Sequence, residues 1–141
     1  MSLPFFVYGT LRPGEHNHDR FLRGRTAAEE PARLPGAVLH DGPGFPYAVP
    51  GEGEVRGALV TAAPGGYGQL LSVLDDLEEY AGPGHPLNLY DREARDVVRD
   101  RDGATVRAWV YFAAPGTALG PRIADGDWLT RTRSGPRSPR P

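Results

Sequence analysis

The sequence predicts an α+β fold: a mostly antiparallel sheet that can curl into a barrel, with one main helix and one short helix. Three observations predict it. Short apolar or alternating segments recur between glycine and proline, of which there are 19 and 15 in 141 residues. Only one stretch carries a sustained helical period, and an Asp102-Gly103 step marks a tight hairpin. No strand-helix-strand rhythm is visible, which argues against a doubly wound parallel sheet.

The elements follow in order along the chain. Pro4–Tyr8 is an apolar run that stops at Gly9, as a short buried strand does. Gly14–Leu22 reads as a loop or short helix with His18, Phe21 and Leu22 on one face. From Arg25 to Val49 the prolines and glycines predict only short extended pieces, around Ala37–Leu39 and Pro46–Val49, before a better strand at Val55–Ala62. Ala94–Arg99 and Ala104–Phe112 form the hairpin. In its second arm Val106, Ala108, Val110 and Phe112 alternate with Thr105, Arg107, Trp109 and Tyr111.

Composition bounds the function. The length suits a single domain, taken as residues 1–128, followed by a basic, proline-rich and flexible tail, 129–141. Every basic residue except histidine is arginine, and the net charge is −2. Four of the 16 arginines lie in the tail, so the body carries 12 against 18 acids. An acidic body argues against nucleic-acid binding. With no cysteine, disulfides, thiolate metal sites and a thiol nucleophile are excluded. No basic-plus-apolar leader and no membrane-length apolar run is present, so a cytoplasmic location without membrane association is expected.

The helix, between Gly66 and Tyr80, holds an acid on its apolar face. With Leu74 at zero and about 100° per residue, Tyr67, Leu70, Leu71 and Leu77 fall within roughly 60° of it. Asp75, Asp76 and Glu79 project toward about 100°, 200° and 140°, where solvated charges belong, whereas Glu78 lands near 40°. An inward carboxylate is costly, and its pKa rises unless it finds a partner such as Arg92. The negative end of the helix dipole and the neighbouring acids push the same way. Glu78 is thus the candidate general base. The second candidate site is the loop 8–14, YGTLRPG. Gly9 permits close backbone approach to a ligand, successive amides there can cradle an anion, and Thr10 adds a hydroxyl.

FVYGTLRPGEHNH, VRGALV, LDDLEEY, LYDRE, WVYF and GDW together resemble the gamma-glutamylcyclotransferase-like superfamily, which includes the gamma-glutamylamine cyclotransferases and AIG2-like proteins. The similarity spans about residues 5–128. It implies a barrel-like mixed sheet and an enzyme without cofactor or metal. The implied reaction turns a small gamma-glutamyl amine or amino acid into 5-oxoproline and the free amine. It further implies Glu78 as proton acceptor and Tyr8, Gly9, Thr10 and Leu11 as the substrate loop. Tyr90, Arg92 and Tyr111 match wall or support positions, while Asn17 and His18 match with a local structural role equally open. The chain departs from the family pattern at Glu79, where many relatives have glycine, and in the longer insert AGPGHPLN, expected to shape the pocket rim. The alternative reading is a non-catalytic module that binds a small acidic metabolite in the same pocket.

Overall fold

A computed structural model describes residues 3–12, 15, 17–43 and 45–129. Five strands close into a barrel: β1 (Phe5–Val7), β2 (Thr26–His40), β3 (Tyr47–Ala62), β4 (Tyr90–Arg99) and β5 (Thr105–Ala113), in the order β1-β3-β2-β4-β5. The β1–β5 pair is parallel, Phe5 facing Trp109, and the other four pairs are antiparallel. One α-helix, α1 (Tyr67–Leu77), and a short π-helical turn (His18–Leu22) complete the mixed fold. The predicted class therefore holds.

The expectation of short pieces before residue 49 does not. β2 runs for 15 residues through Pro31 and Pro35, and β3 for 16 through Pro50. The ladder tolerates the interruption by slipping register between Pro35 and Ala37. Gly36 supplies the positive φ of 77° at that irregularity, a conformation that costs other residues about 1–2 kcal/mol. Along β2 beyond the slip, Val38 pairs with Val49 and His40 with Tyr47, so the loop between β2 and β3 projects from the end of the ladder. β4 also begins earlier than expected, at Tyr90, which pairs with Ala113.

Strand alternation sorts the apolar residues into two cores. Phe6, Leu34, Leu39, Val55, Leu59, Val97, Val110 and Phe112 form the inner cluster, joined by Ile123 and Trp128 from the C-terminal segment. Phe5, Val7, Val60, Tyr90 and Tyr111 point the other way, and α1 packs on them through the fully buried Leu70 and Leu74. Tyr67 stacks on Phe5 with centroids 5.6 Å apart, and its hydroxyl accepts a 3.0 Å bond from Trp109 Nε1. The helix face expected from the spacing is the one that packs: Tyr67, Leu70, Leu71, Leu74 and Leu77 all belong to this outer cluster. Leu129, expected in the tail, packs against the inner cluster, and residues 130–141 lie outside the described residues.

Replacing Gly36 by alanine meets no steric obstacle, so its effect isolates the backbone term. Gly36→Ala is expected to lower unfolding stability by about 1 kcal/mol in urea titration. An unchanged midpoint would show that β2 is not held in this register.

Candidate active site

α1 ends in a turn that fixes Glu78. The Glu79 N–H bonds back to the Asp76 carbonyl at 3.2 Å and the Tyr80 N–H to the Asp75 carbonyl at 2.9 Å, the paired bonds of a Schellman cap. Glu78 is the C-cap residue, its own N–H still bonded to the Leu74 carbonyl at 2.9 Å. Glu79 occupies the next position with φ at 54°, the left-handed conformation that normally calls for glycine. The turn carries Glu78 over the mouth of the barrel.

There it faces a cavity of about 250 Å³, small even for a metabolite site. β1 and the loop after it supply Phe6 to Leu11, and the β2–β3 loop supplies Phe45 and Pro46. Tyr90 and Tyr111, at the paired ends of β4 and β5, close the wall, with Asn17, Leu77, Glu79 and Leu89 completing the lining. The structure thus brings together Glu78, Tyr8, Gly9, Thr10, Leu11, Tyr90 and Tyr111, residues more than 100 positions apart in sequence.

The tyrosine hydroxyls are committed to the scaffold. Tyr8 donates to the Tyr111 carbonyl and accepts a 3.3 Å bond from the Ala48 N–H. Tyr90 donates to the Pro46 carbonyl at 2.8 Å, and Tyr111 to Asp75 Oδ1 at 2.6 Å. Burial, reinforced by the Glu78 charge, raises all three phenol pKa values, so they remain protonated. Glu78 itself is half-buried and its carboxylate makes no hydrogen bond or ion pair among the described residues. Desolvation pushes its pKa up to about 7.

Arg92 stands outside the lining, because Asp75 holds it. Its Nε donates to Asp75 Oδ1 at 2.9 Å, and its guanidinium lies 4.3 Å from the Trp109 ring centroid and 5.0 Å from that of Tyr80. Helical angle alone assigned Asp75 to solvent. Instead its side chain is only 20% exposed and accepts from both Arg92 and Tyr111, so it anchors the wall behind the cavity. The cation that the sequence offered to Glu78 is therefore bound elsewhere.

The loop is braced from both ends. Asn17 Nδ2 donates to the Thr10 hydroxyl at 2.8 Å and its N–H to the Thr10 carbonyl at 3.0 Å. Arg12 pairs with Asp127 at 2.7 Å, tying the loop to the C-terminal GDW segment that packs into the inner core. The motifs at both ends were visible in the sequence, but no local signal joins two residues 115 positions apart. His18 lies 2.6 Å from Glu29 Oε1, a structural contact away from the lining. Among the described residues, the N–H groups of Gly9, Thr10 and Leu11 donate no hydrogen bond, which leaves three donors beside the cavity. The small size of Gly9 has a packing cause instead of the expected ligand approach: an added Cβ would lie 2.7 Å from Pro46 Cδ.

A carboxylate held near pH 7 costs stability. Glu78 is protonated in both folded and unfolded chains at pH 4, and between its unfolded pKa near 4.5 and its folded value near 7 the native state progressively loses that advantage. Glu78→Gln is accordingly expected to leave the urea midpoint unchanged at pH 4 and to stabilise the protein by about 2 kcal/mol at pH 8. Equal effects at both pH values would contradict an unpaired, desolvated Glu78.

Three comparisons converge with this geometry. Residues 5–130 match the family model described as gamma-glutamyl cyclotransferase, AIG2-like. The chain is 33% identical over 120 residues to the gamma-L-glutamyl-butirosin B gamma-glutamyl cyclotransferase of Niallia circulans, covering 85% of this chain and 72% of that protein. A mouse AIG2-like protein superposes with a TM-score of 0.60 at 26% identity, over 82% of this chain and 79% of its own. An uncharacterised protein of Pyrococcus horikoshii shares the fold with a TM-score of 0.62 at 23% identity, over 94% and 93% of the two chains. By the extent of the family match and the identity to its relative, the chain belongs to the AIG2-like gamma-glutamyl cyclotransferase family.

Proposed function

We propose that this protein is a gamma-glutamyl cyclotransferase in which Glu78 moves the protons. The carrying observation is an unpartnered carboxylate with a pKa near 7, facing a small cavity beside three unpaired backbone N–H groups. The N–H groups of Gly9, Thr10 and Leu11 are donors suited to the substrate α-carboxylate. Held there, the α-amine lies within the cavity that Glu78 faces.

The amine arrives mostly as ammonium, since its pKa is about 8. Glu78 accepts that proton, and the freed nitrogen attacks the γ-carbonyl carbon of the same molecule, closing a five-membered lactam. Glu78 then returns the proton to the leaving nitrogen as the old C–N bond breaks, giving 5-oxoproline and a free amine. Tethering makes the attack unimolecular, so the protein's main tasks are to select the bent conformer and carry one proton. A base near pH 7 is matched to both halves of that task, for it takes a proton at neutral pH and also gives it up. The tyrosine wall, whose hydroxyls are bound to the scaffold, offers apolar ring surface around the folded substrate.

Incubation with gamma-glutamyl compounds, with 5-oxoproline followed by mass spectrometry, tests the reading. Glu78→Gln should lower kcat by about 10²–10⁴-fold while the circular dichroism spectrum is retained. Activity within threefold of the parent would remove Glu78 from the mechanism. In the parent, kcat/KM should rise with pH to half its plateau near pH 7, as Glu78 deprotonates. A limb centred near pH 4.5 would mean that the working carboxylate is not desolvated.

A further inference from the structure

Glu79 is the one non-glycine residue with positive φ among the described residues, and it lines the cavity next to Glu78. A β-carbon in that conformation costs about 1–2 kcal/mol. Nothing in the fold returns it: the Glu79 side chain is exposed and makes no hydrogen bond or ion pair among the described residues. Its backbone bond to Asp76 is one that glycine makes equally well. Strain kept where the scaffold gains nothing points to a role outside the scaffold.

The charge pattern of the cavity says what that role is. Among the described residues that line it, two carry a carboxylate, Glu78 and Glu79, and none is lysine, arginine or histidine. The nearby arginine, Arg92, is held by Asp75 between Trp109 and Tyr80. The remaining described wall is apolar or carries neutral polar groups, with Phe45, Pro46, Leu77 and Leu89 on the side contributed by the loops and the helix end. A leaving group with its own carboxylate would meet two acids with no cation to offset them. A leaving group with a further ammonium would meet the carboxylate of Glu79 just beyond the nitrogen that Glu78 protonates.

We propose that Glu79 is a specificity-determining residue that selects gamma-glutamyl amides of amines bearing a second positive charge, and disfavours those of α-amino acids. This inference rests on the cyclotransferase reading above and deepens it. The contact is partly solvated, so its effect on kcat/KM is of the order of three- to tenfold and weakens with salt. Because Glu79 also carries backbone strain, the two roles separate by substitution. Glu79→Gly removes charge and strain together, whereas Glu79→Gln removes only the charge.

The test compares three substrates of similar length: the mono-gamma-glutamyl amide of 1,4-diaminobutane, the gamma-glutamyl amide of butylamine, and a gamma-glutamyl amino acid. The parent should release 5-oxoproline from the diamine derivative with a kcat/KM roughly three- to tenfold above the butylamide, and from the amino-acid derivative more slowly than either. Glu79→Gln and Glu79→Gly should bring the diamine-to-butylamide ratio close to one, with a higher melting temperature in the glycine variant alone. Asp76→Asn, which removes an exposed acid of the same helix outside the cavity lining, should retain the parental ratio. A ratio that survives in Glu79→Gln, one lost equally in Asp76→Asn, or a parent without charge preference would overturn the assignment of Glu79 while leaving the cyclotransferase reading intact. Release of 5-oxoproline from none of the three would overturn both.

Discussion

The desolvation of one carboxylate governs the rest of the site. An ionised Glu78 in a small cavity is tolerable only if its pKa rises or a cation reaches it, and the fold keeps cations away. The Schellman turn at the end of α1 fixes the residue over the barrel mouth, and the packing of Leu70 and Leu74 fixes the helix. Three tyrosines then surround the space with hydroxyls already bound to carbonyl or carboxylate oxygens, so none donates to Glu78.

Arg92 shows how that isolation is maintained. A guanidinium beside Glu78 would lower its pKa and make it a poor proton acceptor at neutral pH. Asp75 takes the guanidinium by its Nε, while the faces of Trp109 and Tyr80 add cation–π contacts that hold the planar group in place. The same Asp75 oxygen receives the Tyr111 hydroxyl, so the ion pair that withholds a charge from the cavity also anchors its wall. Two adjacent acids on one helix thus take opposite parts: Asp75 is paired, Glu78 is left alone. The loop of Gly9 to Leu11 is stiffened in a comparable way, by Asn17 at one end and by the Arg12–Asp127 pair at the other.

Much of this was legible in the chain itself. The helical period of Tyr67, Leu70, Leu71, Leu74 and Leu77 gave the packing face, and the same arithmetic turned Glu78 inward. Alternation in β5 separated Val110 and Phe112 from Trp109 and Tyr111, which lie in different cores. Helical angle failed for Asp75 because exposure at about 100° from the core axis depends on what the neighbouring strand presents, and β4 presents Arg92. Proline counting failed for β2 because a register slip at Gly36 absorbs what a regular ladder cannot. Gly9 read as a ligand contact, yet Pro46 demands its small size, a neighbour 37 positions away that no local pattern identifies.

The account stands on the titration of one side chain. Carbon-detected NMR of protein labelled at the glutamate carboxyl carbons resolves the eight glutamates, and loss of one signal in Glu78→Gln assigns it. The expected result is a single glutamate titrating near pH 7, with the others at ordinary carboxylate values. A Glu78 signal with its midpoint between pH 4 and 5 would contradict a desolvated, unpaired carboxylate and the mechanism built on it.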